Sequence, residues 1–62
     1  MIKVKLFDYE HEKDLEQAMN AFLQKIEDNK LIDIKYHVTA MVEPEAEEQI
    51  YCFTAMIIYS TR

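Results

Sequence analysis

An α+β fold is predicted, with a single helix packed on a three-stranded antiparallel sheet in the order strand-helix-strand-strand and the sheet order 1-3-2. Three observations predict it. Apolar residues alternate at period two near the start of the chain and again throughout its second half. Between those tracts the apolar period becomes helical. An acidic run with the chain's only proline then divides the second alternating tract in two.

The first strand is "MIKVKLF", where Ile2, Val4 and Leu6 alternate with Lys3 and Lys5 and are expected to face the core. From about Glu10 to Asp28, Leu15, Ala18, Met19, Phe22 and Ile26 form one helical stripe, with Glu12, Glu16, Gln17, Gln24 and Glu27 off it. Asp8 is the expected N-cap, Glu10 and Glu12 suit the positive end of the helix dipole, and Asn29 is the expected left-handed terminator.

In the second strand Ile32, Ile34, Tyr36, Val38, Ala40 and Val42 are expected to share the buried face. The segment Glu43–Glu48 reads as a solvated hairpin loop. The third strand, "QIYCFTAMIIYS", is apolar on both faces, which places it in the centre of the sheet. A helix linking strands one and two fits a right-handed crossover.

The two strands carry a near-repeat, "YHVTAM" at Tyr36–Met41 and "YCFTAM" at Tyr51–Met56. Read as packing, it predicts a register in which Tyr36 lies opposite Ala55, Ala40 opposite Tyr51, Val38 opposite Phe53 and Ile34 opposite Ile57. Large–small alternation is what cross-strand layers require, so packing is preferred to a duplicated ligand site. The same register turns Lys3, Lys5, Lys35, His37, Thr39, Met41, Ile50, Cys52, Thr54, Met56 and Ile58 onto the face the helix leaves uncovered. Of these, His37, Thr39, Met41, Ile50, Cys52, Thr54, Met56 and Ile58 are the expected oligomer interface, because exposed apolar surface of this extent marks an association site.

Composition narrows the function. A chain of 62 residues is expected to form a single domain, 1-62, with a marginal core. One cysteine cannot pair within the chain, which suits a reducing compartment. With neither a leader pattern nor an apolar run of membrane-spanning length, a cytoplasmic location is expected and no membrane partner. The formal charge of −5 and scattered basic residues argue against nucleic acid. The absence of glycine excludes phosphate-cradling loops of the P-loop and dinucleotide types.

Chemistry is sparsely represented. His37 and Cys52 are expected near one another on the open face, but zinc needs three or four ligands and His11 lies far off on the helix, so no metal is expected. Glu43, Glu45, Glu47 and Glu48 lack the glycine and the Asp and Asn ligands of known calcium loops; they read as a solvated tip and a patch for a basic partner. Ser60 has no evident base, and Cys52 has only His37 beside it, in an acidic chain that disfavours a thiolate. No catalytic residues, no cofactor and no enzymatic activity are expected.

The stretches "YEHEKDLEQAMNAFLQKI", "IDIKY" and "EEQIYCFTAMIIY" resemble a family of small sporulation-associated proteins of low-GC Gram-positive bacteria. The resemblance covers most of the chain, carries no catalytic signature, and implies a small cytoplasmic protein. The element order is also similar to that of dodecins, flavin-binding proteins that assemble into hollow shells. Their ligand stacks on a sheet-borne Trp, and this chain has none. The expected function is a small homo-oligomeric protein-interaction module whose partners are itself and another protein, bound at the acidic loop or the outer helix face. The alternative is a small-molecule carrier with a pocket formed between subunits.

Overall fold

The computed structural model describes residues 1–44 and 48–61, except for the side chains of Glu43 and Glu48. It contains β1 (Ile2–Tyr9), α1 (Glu12–Leu23), a short 3₁₀ turn (Asp28–Lys30), β2 (Leu31–Glu43) and β3 (Glu48–Ser60). The strands form one antiparallel sheet ordered β1-β3-β2, as the alternation and the doubly apolar third strand require. Thr61 closes the far end, its backbone N–H donating to Met1 O at 2.8 Å.

The hairpin register is the one that the near-repeat dictates: Tyr36 opposite Ala55, Ala40 opposite Tyr51, Val38 opposite Phe53 and Ile34 opposite Ile57. An irregularity between Leu31 and Asp33 returns Leu31 to a position opposite Tyr59. Ile32 falls within it and has no partner on β3, so it leaves the regular row assigned to it above.

The helix is shorter than its apolar stripe suggests. Asp8 is drawn into β1 opposite Thr54, so the N-cap is His11, in extended conformation. Acidic Glu12 and Asp14 occupy the first turn, where they complement the dipole. At the other end the backbone stays right-handed at Gln24 (φ −67°, ψ −20°). The turn then tightens through Lys25 N–H to Phe22 O at 2.9 Å and Ile26 N–H to Leu23 O at 3.4 Å. A helix can end this way without a left-handed residue. Asn29 accordingly sits inside the 3₁₀ turn and does not act as the terminator.

The core is small: Phe7, Leu15, Ala55 and Ile57 are buried, and Ala18, Met19, Phe22, Leu23, Phe53 and Tyr59 pack around them. Phe22 reaches down from α1 between two rings of the sheet, edge-on to Phe7 (6.2 Å between centroids) and to Tyr59 (5.1 Å). The helix therefore sits over β1 and β3. Every described side chain of β2 is exposed, which corrects the expected burial of Ile34, Tyr36, Val38, Ala40 and Val42. Two things leave it bare: α1 lies to one side, over β1 and β3, so that it runs beside Ile34 and Tyr36 without covering them, and its 12 residues span about 18 Å against about 43 Å for the 13-residue strand. Among the described residues, no helix is long and apolar enough to cross a membrane.

Candidate functional site

The sheet face opposite α1 is laid out by the two registers. On β2 and β3, Lys35, His37, Thr39 and Met41 lie opposite Met56, Thr54, Cys52 and Ile50, so all eight residues of the expected interface share this face with Lys35. The first strand is inverted relative to expectation. Lys3 and Lys5 pair with Tyr59 and Ile57 and therefore lie on the helix side, whereas Ile2, Val4, Leu6 and Asp8 pair with Ser60, Ile58, Met56 and Thr54 and lie on the open face.

Phe7 decides the inversion. It has the parity of the lysines and stands opposite Ala55, where a small residue leaves room for its ring under Phe22. The strand buries that ring and leaves Ile2, Val4 and Leu6 on the open face. The lysines tolerate the helix side because they lie along an edge: Lys5 Nζ reaches over Phe22, 6.0 Å from its centroid. A large aromatic facing an alanine was the sequence signal, and it matches the Tyr–Ala pairs of the hairpin.

Exchanging two lysines for three aliphatic residues makes the open face more apolar than expected. Ile2 is 68% exposed, Leu6 65% and Met41 59%, with Val4 and Ile50 also exposed. Around Thr54 the face turns polar. The Cys52 thiol donates to Asp8 Oδ1 at 2.8 Å, and the Thr54 hydroxyl donates to His37 O at 3.2 Å. The hydrogen bond to Asp8 comes first among the causes that push the Cys52 thiol above its ordinary pKa; desolvation and the charges of Asp8 and Glu10 act in the same direction. Such a thiol is a poor nucleophile at neutral pH.

His37 lies diagonally across from Cys52, as expected, but among the described residues no group of three or more His, Cys, Asp and Glu is placed to hold a metal ion. Glu45 and Glu47 lie outside the described residues, and of Glu43 and Glu48 only the backbone is described, at the ends of β2 and β3. On the helix side, a groove of about 470 Å³ runs between α1 and β2, walled by Leu15, Met19 and Leu23 against Ile34 and Tyr36, with Glu12 and Glu16 at its rim. Tyr51 turns to the helix side at the start of α1, where with Val38 and Phe53 it borders a hollow reached by Glu12 and Lys13. It stacks on Phe53 at 6.2 Å, and its hydroxyl donates to Gln49 Oε1 at 2.7 Å.

The profile of the family described as Sporulation protein Cse60 matches residues 1–61. The chain belongs to the Cse60 family. A Cse60-family relative, the sporulation protein cse60 of Bacillus subtilis (strain 168), is 54% identical over 59 residues, covering 95% of this chain and 97% of its own. No solved structure matches the chain. Membership associates the chain with a family of sporulation proteins.

Proposed function

We propose that this chain is a small, self-associating protein-interaction module of the cytoplasm of sporulating cells, and that it carries out no chemistry of its own. The observation that carries the reading is the open sheet face, where Ile2, Val4, Leu6, Met41 and Ile50 stand exposed together. Apolar residues so placed are expected to be covered by another protein surface. The neutral state favoured for the Cys52 thiol supports the non-catalytic part of the reading. The acidic run Glu43–Glu48 is the proposed patch for a second, basic partner.

Native mass spectrometry with sedimentation at micromolar concentration tests the assembly. A dimer or larger species is expected, dispersed by Met56→Asp. A strictly monomeric chain would overturn the proposal. The alternative, a carrier, draws on the groove between α1 and β2, which assembly would have to close. Its sign is a small-molecule mass retained in the native spectrum, whereas a module gives bare protein.

A further inference from the structure

We infer that two copies pair through their open faces about a two-fold axis running along β3, so that β1 of each lies over β2 of its partner and Asp8 meets the partner's His37. The inference rests on the self-association proposed above and adds its geometry.

Charge comes first. Along the stretch of the open face from the Ile50 row to the Ser60 row, the acidic residues are Asp8 and Asp33, alongside Lys35 and His37, and Glu43 and Glu48 follow at the hairpin end of the same face. That stretch, with two aspartates and one lysine, carries a formal −1 of the chain's −5, which lets a second copy of the same acidic chain approach it. Asp33 is already engaged, by Lys35 at 3.7 Å and by its neighbour's backbone N–H at 2.8 Å.

Area comes next. The chain exposes 5108 Å², about 900 Å² more than the roughly 4,200 Å² expected of a monomer of 7.4 kDa. A stable pair buries about 800 Å² per partner. The face has the same scale: three strands about 4.8 Å apart, with the central one about 43 Å long, present roughly 600 Å² before side-chain relief is counted.

Symmetry then selects the axis. Asp8, Thr54 and His37 form one row across β1, β3 and β2. A two-fold axis along β3 preserves position along the strands and exchanges the outer ones. Each Asp8 then faces an imidazole, each Leu6 lies against the stem of the partner's Lys35, and β3 stacks on itself from Ile50 to Ser60. An axis across the strands superposes only the part of the face symmetric about its crossing point. If it crosses where Asp33 and Lys35 would pair with their mates, it leaves Ile50 and Met41 bare. If it crosses at Lys35, like charges meet, which opposes binding.

Charge exchange tests the geometry in the full chain. Asp8→Lys and His37→Glu are each expected to weaken dimerisation at least about tenfold, and the double variant to return it to within about threefold of wild type. As a second measurement, Asp8→Cys and His37→Cys chains, both carrying Cys52→Ser, are mixed and treated with a short bis-maleimide. The mixed 8–37 cross-link is expected to dominate, because packed sheets lie about 10 Å apart. A dimer insensitive to the single changes, a double variant no tighter than the singles, or dominant 8–8 and 37–37 products would overturn the axis while leaving self-association standing. A wild-type chain that stays monomeric would remove both.

Discussion

The Cys52 thiol lies on an open surface, yet it donates to Asp8 Oδ1 at 2.8 Å and its pKa is pushed up by that bond, by desolvation and by the neighbouring carboxylates. A raised value means less thiolate at any given pH, so alkylation at pH 8 is expected to be several-fold slower than in the urea-unfolded chain. Asp8→Asn, which removes the charge, is expected to recover much of the difference; equal rates for folded and unfolded chains would refute this account. The folded state favours the neutral thiol. The associated stabilisation is therefore complete below the ordinary thiol pKa and is lost as pH rises through the raised one. Ile57 is the opposite kind of residue, 0% exposed between β1 and β2 under the helix. Ile57→Ala is expected to cost about 2–5 kcal/mol in urea unfolding, a large part of the stability of a chain this small. Val4→Ala, half-exposed on the open face, is expected to leave monomer stability almost unchanged and to weaken association instead.

At the level of elements, what the chain reveals beforehand depends on whether neighbouring residues or distant ones decide. The hairpin register was legible because Tyr36, Ala40, Tyr51 and Ala55 alternate large and small, a constraint satisfied by one pairing of two adjacent strands. The sheet order followed from the two apolar faces of β3. The face of β1 was not legible from its own alternation, since Phe7 sets it through Ala55 and Phe22, which lie far off in the chain. Asp8 likewise satisfies a capping pattern locally but is taken into the sheet. The eight residues of the expected interface were placed on one face by parity alone, while four more, Ile2, Val4, Leu6 and Asp8, came to that face with the inversion of β1. The coverage of β2 required comparing lengths, because α1 ends long before the hairpin does. This mismatch predicts graded protection in hydrogen exchange. Amides around Ala55 and Ile57 are expected to exchange last, by roughly a hundredfold or more, and those flanking the hairpin tip, such as Met41 and Ile50, first. Uniform protection along β3 would mean that something else covers the tip.

For the whole molecule, shape and stability point the same way. The chain measures 49 × 18 × 11 Å with a radius of gyration of 14.4 Å, against about 11 Å for a compact chain of 62 residues. A slab only 11 Å thick is one sheet with a partial helix layer, and among the described residues its core holds four buried side chains. Folding still costs about 1–2 kcal/mol per residue in backbone entropy, so so small a core leaves little margin. Burying the open face against another copy adds apolar contact without ordering more chain, and so raises stability by mass action. Thermal unfolding should therefore depend on protein concentration. Between about 2 μM and 200 μM the midpoint is expected to rise by several degrees, since a hundredfold change in concentration is worth about 2.7 kcal/mol per dimer and small domains shift by roughly 4–8 °C per kcal/mol of protomer stability. Met56→Asp, which places a charge at the middle of the face opposite Leu6 and Lys35, should abolish the dependence while keeping the helix and strand signals of the folded monomer at low temperature. A midpoint independent of concentration in the wild-type chain would mean that the core around Ile57 and its surrounding half-buried shell suffice alone, and that the open face is left to a different protein.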